Sequence, residues 1–511
     1  MFERPQLEYL SGVYPPQVAS AAIRKLSGMP VEKLKFGDAL AGLLVDGVAE
    51  TPYAGSTLRM EEPNGPMVEV PFIQGDEAGQ FAPVQDWFST RTSPENMVIK
   101  TADGDISLYA IQWMGHSVKS GRGVSLGKLQ PTEIVLARRN TPLSETLTVT
   151  EVRSHVDGLK EWTSFTAIKQ DRETNEKGLV RKLLVEVESV AAMTWKQGEA
   201  TMTLQTDWRS ANQEVDDDSS FSIFEWVVLD SKFEKPTIFF DHLVEQRKVL
   251  HLLVLMFDGA IHFRKHRVRD ETFSVPRGDG EDHHPFVELI SRRTVREYAE
   301  KRPTKQDLNR PLVYLRQVEA EGMHRWSDTY EEWKRFILPT VGVLGRRGAF
   351  VEDVVVSLSM SLEAGGNLLG HRDGEEVTYN KRTKKPSTAT FVYRCLHDLD
   401  VNWGDNVESI AGLARAAANT YNGIKHFDRG EFPDNEETYL VSLVLRQVVR
   451  LMALNLLDPS RSLIKEFKEK GALWRIHEHF SLNELRIRDD GTWEAAPTPP
   501  APELTRGVTF R

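Results

Sequence analysis

Residues Phe240 to Phe257 read FDHLVEQRKVLHLLVLMF, and this stretch divides the chain into two textures. Its apolar residues recur at helical spacing, and Gly259 stands where such a helix would end. Before it, apolar and β-branched runs are short: Gly42 to Val48, Met67 to Phe72, Met97 to Lys100, Ile106 to Trp113 and Glu133 to Arg138. Leu179 to Val187, Ala200 to Thr206 and Phe221 to Leu229 continue the series. Turn signals such as Pro63-Asn64-Gly65 and Asp103-Gly104-Asp105 punctuate them. The spacing predicts antiparallel strands in a sandwich or barrel over residues 1–240, with Val215 to Ser220 a solvated loop.

After the dividing helix the texture stays mixed, with soft boundaries at Arg277 to Pro285 and Lys301 to Asp307. From about Asp328 the pattern is helical. Tyr330 to Leu338 reads as a short amphipathic segment stopped by Pro339, and Phe350 to Glu363 as a helix meeting Gly365-Gly366. Ser387 to Leu399, Asn406 to His426, Glu437 to Leu457 and Ser462 to Phe480 follow as helices. The predicted class is therefore α+β and multidomain. Residues 1–240 form the β-rich part, 241–325 a helical or mixed connector, 326–485 an all-α bundle and 486–511 a disordered tail rich in Ala and Pro.

Bulk properties narrow the function. The net charge of −11 over 511 residues argues against a general nucleic-acid coat, since nonspecific affinity comes from phosphate neutralisation by Lys and Arg. Local basic clusters, His262 to Arg269 and Lys381 to Lys385, leave room for a local RNA site. The single cysteine, Cys395, excludes an internal disulfide and a cysteine-rich zinc site. The N-terminal residues carry no secretory pattern, and the apolar run Val249 to Phe257 is too short to span a bilayer. These features predict a soluble cytoplasmic protein without membrane partners.

The segment Arg415-Ala-Ala-Ala-Asn-Thr-Tyr-Asn-Gly-Ile-Lys-His426 carries the chemistry. At about 100° per residue, Arg415, Asn419, Asn422 and His426 share one helical stripe. A cation, two amides and an imidazole on one face suit the binding and cleavage of a phosphodiester. Against this stand plainer roles: His426 and Lys425 complementing a helix dipole, Arg415 in a salt bridge, the asparagines tying helices together. Arg446 and Arg450, four apart on an apolar helix, either line its solvent face or turn toward the His426 stripe and add positive charge. His262 with His266, His283 with His284, and His477 with His479 lack further ligands, so no metal site and no cofactor is predicted.

In its order of elements the chain resembles the ApeA-like HEPN proteins, associated with abortive defence of bacteria against phage. Glu151 to Thr163 (EVRSHVDGLKEWT) looks like that family's domain-one signature around Gly-Leu-x-x-Trp. Asp241 to Gly259 resembles the helix after the β region, Leu358 to Glu363 the helix opening the bundle, and Tyr421 to His426 falls where the Arg-Asn…His motif belongs. The resemblance implies a dimeric HEPN bundle that cleaves RNA, tRNA included, without a metal, under a phage-derived trigger. His426 would then do acid–base work, with Asn422, Tyr421 and Arg415 in the catalytic group and Lys425, Asn419, Arg446 and Arg450 binding substrate. Tyr421 stands where the motif has arginine, and Arg415 lies three turns upstream, about 16 Å along the axis. The alternative is a catalytically inactive HEPN module for binding or dimerisation in a defence or toxin–antitoxin-like system. A carbohydrate-active or ligand-binding β domain finds no paired carboxylates to support it.

Overall fold

A computed structural model describes residues 34–46, 52–75, 78–117, 123–140, 145–215, 218–276, 282–426, 432–469 and 473–497. The N-terminal residues read for a leader lie outside these, as do Gly47 and Val48, Asp216 and Asp217 of the acidic segment, and the tail beyond residue 497. The chain forms two compact units. One comprises residues 1–146, 272–283 and 287–299; the other comprises 147–271, 284–286 and 300–511. The division expected at residue 240 thus falls inside the second unit.

In chain order the first stretch holds β1 (Ala39–Val45), β2 (Ala54–Glu61), β3 (Gly65–Ile73), α1 (Ala82–Ser89), β4 (Met97–Thr101), β5 (Gly104–Tyr109), β6 (Gln112–Ser117), β7 (Val124–Gln130) and β8 (Glu133–Val135). Next come β9 (Thr148–Val156), α2 (Leu159–Thr163), β10 (Ile168–Thr174), β11 (Val180–Val187), β12 (Ala191–Gln197), β13 (Ala200–Val215), β14 (Asp218–Ile238) and α3 (Phe239–Phe257). The middle holds β15 (Phe263–Arg269), β16 (Val275–Pro276), β17 (Asp282–His283), β18 (Val287–Ser291), α4 (Val295–Ala299), α5 (Lys305–Leu308) and α6 (Leu315–Tyr330). The rest is α7 (Lys334–Leu344), α8 (Val351–Leu369), α9 (Thr388–Leu399), α10 (Ile410–Lys425), α11 (Asn435–Leu457), α12 (Ser462–Glu469), α13 (Trp474–Leu482), β19 (Leu485–Ile487) and β20 (Trp493–Ala495).

In the first unit the strands run β18-β8-β5-β4-β1-β2-β3-β7-β6, and each neighbouring pair is antiparallel. Alternate residues of these strands, among them Leu58, Val68, Val70, Ile99, Ile106 and Ile134, are buried with Phe88 of α1 in one apolar core.

The second unit combines an antiparallel array, β12-β13-β14-β9-β15, with the later helices. Its central element is α3, which packs on β9 and β14 and also on α6, α7 and α11. That explains its composition, since a helix contacted on several sides is apolar on several sides. Its polar residues His242 and Gln246 are nevertheless fully buried. Ser154 of β9 donates to the Gln246 amide oxygen, and its own oxygen stands 2.6 Å from Nδ1 of the buried His266 on β15. Because the single Ser154 proton goes to Gln246, His266 Nδ1 must be the donor. On the other side Gln246 Nε2 donates to Ser231 of β14 at 3.0 Å. Ser231 lies 2.9 Å from His242 Nδ1, and His242 Nε2 donates to the Val149 carbonyl at 3.0 Å. The relay requires a neutral His242, because with Nε2 as its donor its Nδ1 must accept the Ser231 proton.

The helices after α6 pack as α7 on α8, α8 on α9 and α11, and α10 on α8 and α9. Gly366 makes the α8–α9 contact close: a Cβ there would stand 2.2 Å from the Phe391 carbonyl. α11 is long and apolar enough to cross a membrane, so the expectation that no run approaches that length is corrected. Its most apolar window is 72% buried inside the fold, as in a core helix.

Several elements differ from their sequence reading. Pro339 lies inside α7 rather than stopping a helix, and Gly365-Gly366 lies inside α8 rather than ending it. Ser462 to Phe480 is two helices, and β19 pairs with β20 in a hairpin inside the stretch expected to be a tail. His262 and His266, read at helical spacing, lie outside a helix: β15 holds His266, and His262 precedes it. Arg264 there forms a forked ion pair with Asp157, and Arg269 pairs with Glu151, so the cluster is partly neutralised.

Burial pushes His155 and His266 down to about 3 and His242 and His251 down to about 4 from the ordinary 6.5. The unfolded chain therefore takes up protons below about pH 6.5 that the folded second unit refuses until about pH 4. The stability these histidines contribute is complete above pH 6.5 and is lost through that window, by at most about 1.4 kcal/mol per pH unit for each one. Urea midpoints measured from pH 7.5 to 4.5 will show this slope, and His155→Phe, which removes one of the four groups, will flatten it. An unchanged midpoint across the window would mean that the four imidazoles are accessible to protons in the native fold.

Candidate functional site

α10 begins where Ser409 accepts the Gly412 amide at 3.0 Å. Its alanines Ala414, Ala416, Ala417 and Ala418 are buried against neighbouring helices. The remaining residues are those the sequence singled out, and the structure places them differently from a single stripe.

Arg415 is half-buried, and its guanidinium donates to two backbone carbonyls, those of Asp489 and Val377. It staples α10 to the β19–β20 turn and to the 3₁₀ turn Glu375–Thr378. That 3₁₀ turn is held from its other side by Arg394, whose Nε and Nη2 reach the buried Glu375 carboxylate at 2.6 and 2.8 Å. These hydrogen bonds from Arg394 hold the Glu375 carboxyl down to about 2. Arg415 has thus been drawn into main-chain bonding.

Asn419 is exposed and Asn422 half-buried, and among the described residues neither side chain has a hydrogen-bond partner. Tyr421 is buried, at 3% exposure, so it does not offer its ring to solvent where the motif has arginine. Its hydroxyl instead accepts from Lys425 Nζ at 2.8 Å, with the ammonium 5.0 Å from the ring centroid. His426 is the C-cap residue of α10, with φ −119° and ψ 95°, and its amide donates to the Asn422 carbonyl at 2.9 Å. The stripe therefore breaks at its last member, because His426 leaves the helix. At this end the structure brings together Tyr421, Asn422, Lys425 and His426 and leaves Arg415 apart.

Arg446 and Arg450 of α11 face the C-terminus of α3 rather than adding charge to α10. Arg450 Nε donates to the Leu255 carbonyl at 2.8 Å and Nη2 to that of Met256 at 2.9 Å. Arg446 Nη1 pairs with Asp258 at 2.8 Å, where Asp258 caps α3 in the left-handed conformation with φ +53°. Both cations stand at the negative end of the helix dipole, and Arg450 adds donors to the last carbonyls of α3. Burial lowers the Arg450 pKa from its ordinary value. Among the described residues no group of three or more His, Cys, Asp or Glu side chains could hold a metal ion.

Residues 85–326 match the family model described as ApeA N-terminal domain 1. The matched region contains the β9–α2 segment, where Trp162 is fully buried and donates to the Val313 carbonyl at 2.9 Å, and it contains α3. It ends at Trp326 in α6, so the helices from α7 onward, with the α10 site, lie outside it. No curated protein and no solved structure matches the chain.

The arginine geometry has a direct consequence for stability. Arg450→Ala removes two charge-assisted bonds to the α3 end and is expected to cost about 2–3 kcal/mol, with Arg415→Ala of similar size. Arg446→Ala, at a half-exposed pair, costs about 1 kcal/mol or less. Urea unfolding of the three variants gives this order. A midpoint for Arg450→Ala equal to wild type would detach that side chain from the helix end.

Proposed function

We propose that this chain is an ApeA-like protein of bacterial defence against phage, and that its helical region acts on RNA through the C-terminal end of α10. The match of residues 85–326 to ApeA N-terminal domain 1 supports the defence reading. The observation that carries the RNA reading is the Lys425 ammonium held on the Tyr421 hydroxyl, one residue before His426. A cation, an imidazole and the half-buried Asn422 amide then share one helix end.

Lysine binds phosphate as a point charge, where arginine would grip it as a fork. In this reading Tyr421 does not replace the arginine of the HEPN motif directly. It orients Lys425, which takes over the charge. His426 removes the proton of a ribose 2′-hydroxyl as its oxygen attacks the adjacent phosphorus, or protonates the departing 5′-oxygen. The products are a 2′,3′-cyclic phosphate and a 5′-hydroxyl, and no metal enters the step. Two copies of the chain would bring two such ends to one RNA. Arg415, Arg446 and Arg450 have structural roles in this scheme.

A second reading is favoured by those same arginines. With each guanidinium engaged in the fold, the helical region would be a binding or dimerisation module without catalysis. The two separate on induction of wild type, His426→Ala, Lys425→Ala and Lys425→Arg in phage-challenged bacteria, with total RNA displayed on a gel. The nuclease predicts RNA fragmentation and protection in wild type, loss of at least a hundredfold in cleavage for His426→Ala, and partial recovery in Lys425→Arg over Lys425→Ala. Protection that survives His426→Ala with intact RNA would assign the module.

A further inference from the structure

The first unit holds a concave site far in character from the helix end just described. A cavity of about 570 Å³ is lined by Arg292, Arg293, Arg296, Gln112, Gln130 and Asn64, together with Thr132. We propose that it binds the phosphate groups of a small phosphorylated ligand.

The local fold explains why three arginines converge. β18 ends on Ser291, which pairs with Glu133 of β8, and the Arg292 amide donates to the Thr132 carbonyl at 2.8 Å. The chain then turns, with the Thr294 amide donating to the Ser291 carbonyl at 3.1 Å and the Arg293 amide to the Ser291 hydroxyl at 3.2 Å. The turn leads into α4, whose Val295 packs on the turn between β2 and β3. Gly65 permits that approach: its φ is +85°, and a Cβ there would lie 2.9 Å from Val295 Cγ1. Arg296 is thereby carried to the side of Asn64, and Arg292 to the β6–β7 pair that bears Gln112 and Gln130.

The hydrogen bonds inside the cavity engage its amide oxygens and leave some of its donors uncommitted. Arg292 Nη1 donates to the amide oxygens of both Gln112, at 2.9 Å, and Gln130, at 3.0 Å. Both acceptors are thus occupied. The Gln130 amide nitrogen donates to the Asn64 carbonyl at 3.1 Å, and the Thr132 hydroxyl to the Ala110 carbonyl at 3.0 Å. What remains for a ligand is the outer nitrogens of Arg292, the amide nitrogen of Gln112, and the exposed Arg296, which has no partner among the described residues. Arg293 lies 3.5 Å from Glu133, a largely buried carboxylate outside the lining. A surface rich in donors, with Arg292 and Arg296 in no ion pair among the described residues and no carboxylate among the described lining residues, selects an anion.

The volume lies in the range of small-molecule sites. Among the described residues no aromatic ring lines it, and none of them offers a platform for stacking a base. Recognition would rest on phosphates, which arginine forks fit best.

The test is calorimetric titration of the full-length protein with inorganic triphosphate, ATP and a single-stranded RNA oligomer at equal phosphate concentration. Triphosphate is expected to bind the wild type, about tenfold more weakly to Arg296→Ala, and unchanged to Arg59→Ala, whose exposed pair with Glu69 lies outside the cavity. Arg296 is exposed and unpartnered, so its loss leaves the fold intact, and thermal unfolding of the variant checks this. Arg292→Gln should weaken binding further. Tighter ATP than triphosphate would name a nucleotide as the source of the phosphates, and RNA binding tighter than both would overturn a small ligand in favour of a strand. Absence of triphosphate binding to the wild type at millimolar concentration, or equal binding by Arg296→Ala, overturns the site.

Discussion

The second unit depends on the buried Gln246 side chain. It is fully enclosed, and through one amide it links β9, β14 and α3, with His266 and His242 at the outer ends of the relay. A buried amide with unmet bonds would cost several kcal/mol, so the strands and the helix are held to one register in which all its bonds are made. A slip of any strand by one residue would turn its serine to the opposite face. Apolar burial gathers these elements. The polar chain decides which arrangement they adopt.

The other end of α3 is fixed by charge. Its last carbonyls and Asp258 receive Arg450 and Arg446 from α11, a helix nearly two hundred residues later in the sequence. Arg415 performs a similar service for α10, reaching carbonyls of the 3₁₀ turn and of the C-terminal hairpin. Cations that look catalytic in a one-dimensional motif are here part of the framework. The Tyr421–Lys425 contact shows what this buried tyrosine does in the fold. A buried phenol cannot bind phosphate, but its hydroxyl can hold an ammonium in place.

How far the sequence could be read depended on how clean its periodicity was. α3, α9, α10 and α11 were legible because their apolar residues repeat at helical spacing and their ends carry Gly, Ser or Asp signals. β15 was not, because a register irregularity between Phe263 and Lys265 shifts the alternation, leaving Phe263, His266 and Val268 inward at unequal spacing. Its charges then read as a basic cluster, although Asp157 and Glu151 pair with two of them. Pro339 misled in another way, since tertiary packing of Phe336, Ile337 and Val341 carries α7 across it. At the candidate site, the residue types of α10 were legible but their partners were not. The donors to Val377 and Asp489 come from contacts distant in sequence, which no local pattern encodes.

Local patterns in the chain set the α+β order, the central helix, the small residues that let α10 pack, and the presence of a histidine with a neighbouring lysine at one helix end. These follow from local periodicity and helix-end chemistry, which depend on neighbours a few residues apart. Which charged groups remain available is settled by long-range packing. Whether an arginine faces a carbonyl, a carboxylate or solvent depends on elements brought together from distant parts of the chain. It was this that tied down Arg415 and Arg450, buried His266, and opened Arg292 and Arg296 toward a common cavity.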